Sequence, residues 1–132
     1  MRRATITTAA VVSAVAVAGA ATQATGSSGP TATAAKTTTL RLKADAGGQT
    51  LRFNKKTLKA RRGTVRIVMK NVSKSLPHAV AIEGRGVDKD GKTAGPGKTS
   101  TVSARLKKGR YEFYCPVGNH EQAGMKGTLI VR

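Results

Sequence analysis

Cysteine occurs once in the 132 residues, at Cys115. A single cysteine excludes an internal disulfide, so no covalent staple holds the fold. Tryptophan is absent, and two Phe and two Tyr supply all the aromatic rings. Four rings leave little for bases to stack on, and no helix gathers the basic residues, so a dedicated nucleic-acid module is not expected. Acidic residues number six against 24 Lys and Arg. No segment of ten or more residues shows a helical apolar stripe, which argues against a helix bundle. The longest Ala/Val-rich run, residues 6–21, carries no charge but is only 16 residues long and includes Thr7, Thr8 and Ser13. A membrane span needs about 20 apolar residues.

That stretch follows Arg2 and Arg3 and ends in small residues near Ala20 and Ala24. A positive start, a short apolar run and a small-residue exit describe a secretory signal over residues 1–24. An uncleaved anchor is the alternative reading, and the arginine pair leaves twin-arginine export open beside the general route. Residues 25–39 are Thr, Ala, Ser and Gly with Pro30 and Lys36, too few apolar groups to offset the ordering entropy of a fold. They read as a flexible linker, leaving residues 40–132 as one small domain. Fewer than one hundred residues bury little apolar surface. With disulfides excluded, a bound metal is one of the staples left to such a domain. Export implies a periplasmic, extracellular or cell-surface location.

Loss of Arg2 and Arg3 with the signal takes 24 basic residues to 22, against six acidic, a net charge of +16. Such a field favours anionic partners and speeds their encounter. It suits an acidic protein partner and allows loose association with an anionic membrane or cell-wall surface.

The folded part alternates with period two. Leu40 and Leu42 oppose Arg41 and Lys43; Val65, Ile67 and Met69 oppose Arg66, Val68 and Lys70; Val102, Ala104 and Leu106 oppose Ser103 and Arg105; Tyr111, Phe113 and Cys115 oppose Glu112 and Tyr114. "HAVAIEG" and "GTLIVR" read as further strands. Short strands separated by turn signals imply an antiparallel sandwich or barrel. "FNKKTLKARRG" reads as at most one helical turn, and residues 84–98 read as a Gly-rich surface loop.

The chemistry is concentrated near the end, in "YEFYCPVGNHEQAGM". Cys115, His120 and Met125 follow one another at C-x4-H-x4-M. The alternation turns Cys115 inward, and Pro116 and Gly118 force a turn directly after it. Gly124 and Gly127 permit another bend around Met125. The one other histidine, His78, opens the "HAVAIEG" strand. If its end of the sandwich is the end that carries Cys115, the four side chains meet. Two imidazoles, one thiolate and one thioether make up the donor set of a type 1 copper site. Zinc is the competing ion, but thioether is a poor zinc ligand, so Met125 favours copper. A nucleophilic cysteine would need an exposed, reactive thiolate, and Cys115 faces inward.

At these residues the chain resembles the cupredoxins, the small blue-copper proteins of the plastocyanin and azurin type. "YEFYCPVGNHEQAGM" is similar to their C-terminal ligand loop, and "LPHAVAIEG" to their first-histidine segment. The resemblance implies an all-β, Greek-key β-sandwich with one copper at one end. It implies His78, Cys115 and His120 as equatorial ligands and Met125 as the axial one. It further implies an electron port at His120, bordered by Pro116 and Val117, with Tyr114 as a second route. Family members commonly carry Asn directly after the first histidine to tie the ligand loops together; here that position is Ala79. The implied activity is one-electron transfer by a monomer to a redox partner, without enzymatic turnover, since four protein ligands leave no open position. Copper storage or delivery would use the same ligands, and a basic binding module with a silent cysteine is the remaining alternative.

Overall fold

In the computed structural model the described residues are 36–45 and 51–132. The expected signal and most of the expected linker lie outside them. Eight strands follow in order: β1 (Thr38–Ala44), β2 (Thr57–Ala60), β3 (Gly63–Asn71), β4 (Ala81–Gly84), β5 (Val87–Asp90), β6 (Thr99–Leu106), β7 (Gly109–Tyr114) and β8 (Lys126–Val131). Among the described residues there is no helix. The strands form two sheets, β1-β3-β6 and β2-β8-β7-β4-β5. The architecture is the all-β sandwich that the alternation implies.

Most neighbours pair antiparallel, but β1 runs parallel to β3 and β2 parallel to β8. The stretch read as a helical turn is the edge strand β2. Leu58 and Ala60 face the core there, while Thr57 and Lys59 stay in water. Hydrogen bonds to β8 supply what four residues cannot supply alone. The Gly-rich segment also holds more order than its composition suggests. It contains β5, and its Ala94 is buried and bridged to His78.

Inward residues from both sheets share one core. Val65, Ile67 and Met69 of β3 and Val102 and Leu106 of β6 face Phe113 of β7 and Leu129 and Val131 of β8. Phe53 packs on Phe113, ring centroids 5.5 Å apart. The period of two fails over residues 79–82, where Ala79, Val80, Ala81 and Ile82 are all buried. Gly127 sits where a Cβ would run into the Phe113 ring and approach the Lys56 carbonyl at 2.5 Å. A side chain there would push the last strand off the core.

Candidate metal centre

Cys115 directly follows β7, and Met125 directly precedes β8. The residues between them form a compact turn closed by backbone hydrogen bonds. The Cys115 amide donates to the Met125 carbonyl at 3.0 Å, and the Met125 amide to the His120 carbonyl at 3.0 Å. His120 in turn donates to Val117 at 3.1 Å, and Gly124 to Glu121 at 2.8 Å. Gly124 takes a φ of +99°, a conformation L side chains rarely adopt, and this bend delivers Met125 to the core. Three of the four sequence-predicted ligands are thus linked by main chain within one loop.

His78 comes from elsewhere in the chain and is fixed by both of its backbone groups. Its amide donates to Ala94 at 3.0 Å and its carbonyl accepts from Ala94 at 2.8 Å. Asn71, at the end of β3, braces the same segment. Its Nδ2 donates to the Leu76 and Ala94 carbonyls, both at 2.8 Å, and its Oδ1 accepts from the Ser73 amide at 2.9 Å. One residue on, the Ala79 amide donates to Cys115 Sγ at 3.4 Å, and the Val80 amide to Ser100 Oγ at 3.2 Å. The tie missing from the side chain at position 79 is therefore made by its backbone, while Asn71 braces the histidine segment itself.

The side chains converge. Cys115 Sγ lies 3.9 Å from His78 Nδ1 and 3.5 Å from His120 Nδ1, and the three donor atoms are within 4.8 Å of one another. The imidazoles tilt at 51° with centroids 4.9 Å apart. Cys115, His78 and Met125 are fully buried, and His120 is half-buried. Metal–nitrogen and metal–sulfur bonds of about 2.0 and 2.3 Å set in a trigonal plane would separate sulfur from nitrogen by about 3.7 Å. The two observed separations bracket that value, so the sulfur and the two nitrogens suit a single ion.

Burial pushes the Cys115 thiol up, with the Ala79 and Val117 amides acting in the opposite sense. Burial pushes His78 down, reinforced by His120 and opposed by Asp45. Both effects describe donors kept away from water. Pro116 and Val117 are half-buried beside the turn, and Val117 packs on the core. Tyr114 is half-buried on the outer face of β7, between Ala81 and Lys126. Burial raises its phenol, helped by the carboxylates of Asp90, Glu83, Asp88 and Glu121. Periodicity and spacing did not single out Asn71, Ala94, Ser100 or Asp45. An Asn closing the nine-residue strand β3 was the one available signal.

The description "Cupredoxin-like domain" fits residues 9–131, and the chain belongs to that family. Among solved structures it is similar to dithionite-reduced auracyanin from the photosynthetic bacterium Roseiflexus castenholzii, at 25% identity and a TM-score of 0.62, covering 74% of this chain and 98% of that one. It is similar also to auracyanin A, a "blue" copper protein from the green thermophilic photosynthetic bacterium Chloroflexus aurantiacus (21%, TM-score 0.62, 74% and 100% covered). Auracyanin B likewise matches (20%, TM-score 0.63, 74% and 90% covered). The last two likenesses concern the fold. No curated protein matches the sequence.

Proposed function

We propose that this chain is an exported type 1 copper protein that carries single electrons between redox partners. The observation that carries the reading is the convergence of His78 Nδ1, His120 Nδ1 and Cys115 Sγ within 4.8 Å at one end of the sandwich. Met125, buried beside them and joined to Cys115 and His120 by main chain, is assigned as the axial ligand. A copper ion held by this set supplies a one-electron couple.

The chain's own part is to hold the donors still. His78 is anchored on Ala94, Cys115 directly follows a strand and donates to Met125, and His120 and Met125 are bonded to each other through the backbone. A cage whose donors need not move between oxidation states suits fast electron transfer. Four protein donors leave no open position for substrate, which supports a carrier and not an enzyme. His120 is the least buried of the histidines and is assigned as the electron port, with Pro116 and Val117 around it. Tyr114 offers a second exit next to Cys115.

Export rests on the N-terminal pattern. Among the described residues no helix is long and apolar enough to cross a membrane. The charge surplus supports an acidic docking partner. Exposed Lys74 lies in the segment leading to His78, and exposed Lys56 donates to the Gly124 carbonyl of the ligand loop at 3.1 Å. A second basic group, Lys36, Lys59, Arg61, Arg62 and Arg132, lines a shallow cleft at the end of the sheet remote from Cys115. That cleft suits loose association with anionic surfaces.

Adding Cu(II) to the purified protein tests the reading. An intense thiolate-to-copper absorption in the visible, lost in Cys115→Ser, is expected. A colourless protein, or a coloured Cys115→Ser variant, overturns it. Ready loss of copper to a mild chelator would instead mark a storage or delivery protein.

A further inference from the structure

Three buried side-chain polar atoms lack a hydrogen-bond partner among the described residues: both carboxylate oxygens of Asp45 and Nε2 of His78. They face each other. Asp45 Oδ2 lies 4.0 Å from His78 Nε2, and the two side chains are 1% and 0% exposed. An unpaired buried polar group costs about 1–3 kcal/mol. Native structures therefore hold few of them, and two adjacent ones at a metal centre call for a cause.

The placement of Asp45 is built by the backbone. Along β1, Leu42 and Ala44 point inward, so strict alternation would send residue 45 into water. Instead Asp45 takes a φ of +57°, the left-handed region that Asp visits more readily than most residues. Its amide donates to the Arg52 carbonyl at 2.8 Å, and the Ala44 carbonyl accepts from Val72 at 3.2 Å. Ala44 and Asp45 are consequently buried in succession, and the carboxylate lies on the His78 side.

His78 Nδ1 is the atom that faces Cys115, so in the binding state that nitrogen carries a lone pair. A neutral imidazole has one N–H, which must then be on Nε2. We propose that Asp45 is the positioning residue of His78: its carboxylate accepts the Nε2–H, holding the ring in the tautomer and orientation that present Nδ1 to the metal. A movement of about 1 Å by either side chain brings the pair from 4.0 Å to hydrogen-bond distance, 2.7–3.2 Å. The carboxylate also places negative charge behind a ligand of a cation, which favours the more highly charged oxidised ion. Carboxylate–histidine–metal relays of this kind orient ligands in many metalloproteins, and their loss typically costs 10–100-fold in affinity.

This inference rests on the metal-centre reading, and its tests separate the two. Nitrogen NMR of the metal-free wild-type protein needs no copper. It should find His78 protonated at Nε2; protonation at Nδ1 overturns the proposal. Asp45→Asn keeps the shape and removes the charge. Its Cu(II) affinity, measured by chelator competition, should fall 10–100-fold, its Cu(I) affinity should fall less, and its reduction potential should rise. In the metal-free state the same variant should be as stable as wild type or more so in urea, because the amide oxygen still accepts the Nε2–H while a buried charge is gone. A carboxylate serving only to hold nearby backbone would give the opposite pattern, lower metal-free stability with affinity and potential unchanged, and that result overturns the proposal. Wild-type protein that takes up no copper would overturn the function proposed above, while the tautomer measurement would still decide the role of Asp45.

Discussion

The amide of Ala79 donates to the sulfur of Cys115 at 3.4 Å across 36 residues of sequence. The bond joins the first-histidine segment to the ligand loop, and it acts on the one atom whose charge matters most to the centre. A donor aimed at a thiolate stabilises its negative charge and weakens its donation to a metal.

Replacing that donor should therefore change the potential. Ala79→Pro lacks the N–H, and the Ala79 amide makes no other hydrogen bond among the described residues. A hydrogen bond to a charged group contributes about 1.5–3 kcal/mol. Only the part that differs between oxidation states enters the potential, so a fall on the order of tens of millivolts is expected at about 59 mV per tenfold. Voltammetry of the copper-loaded variant checks it, and an unchanged or higher potential refutes it.

Asn71 joins three backbone groups at full burial. Asn71→Ala leaves the Leu76 and Ala94 carbonyls and the Ser73 amide short of a partner. A loss of about 2–4 kcal/mol is expected in urea unfolding of the metal-free domain. Because Ala94 also pins His78, metal affinity should fall in the same variant, read by chelator competition. Stability within about 0.5 kcal/mol of wild type would show that water replaces the side chain at no cost.

The metal-free domain should lose stability on mild acidification. Burial, then the charge of His120, hold His78 below its ordinary value of 6.5, with Asp45 opposing. Below 6.5 the unfolded chain binds a proton that the folded domain still refuses. The unfolded state then carries more protons, so stability falls as pH falls toward the depressed value. The slope for one group reaches at most about 1.4 kcal/mol per pH unit. Urea midpoints between pH 7 and 5 measure it, and His78→Gln should flatten the curve in that window. Equal slopes in the two proteins would place the proton elsewhere.

Electron transfer to an acidic partner should slow as salt rises. The sequence carries a net charge of +18, and screening shortens the reach of that field to about 8 Å at physiological ionic strength. Stopped-flow rates with an acidic and a basic redox protein should diverge at low salt and approach each other at high salt. A rate with the acidic partner that ignores ionic strength would remove charge steering from the account.

Much of the sandwich is legible in the residues themselves. Val65, Ile67 and Met69 in β3, Val102, Ala104 and Leu106 in β6, and Tyr111 and Phe113 in β7 alternate with less buried neighbours, all polar but Val68, and all of them are buried. Where a strand is short or exposed the pattern fades. β2 offers only Leu58 and Ala60, and β5 offers only the half-buried Val87 among charges, so neither carries enough period to be read. Residues 79–82 mislead in the other direction: covered on both faces, they have no polar side to show. The parallel pairing of β1 with β3 and of β2 with β8 leaves no mark in local composition, because pairing sense depends on how distant segments return.

The candidate site divides along the same line. Cys115, His120 and Met125 lie within eleven residues, and the turn residues between them make their meeting a local matter, readable from spacing and donor chemistry. His78 stands 37 positions before Cys115 and meets it only because Ala94, Asn71 and the Ala79 amide hold its segment at that end of the sandwich. Asp45 is more distant still, and its inward turn depends on a single backbone angle that alternation would have denied. The sequence by itself determined which donor atoms exist and which way most strands face, since both follow from side-chain type and a two-residue repeat. Only the tertiary structure decided that the donors share one point, because contacts between remote segments arise from packing and not from neighbours along the chain.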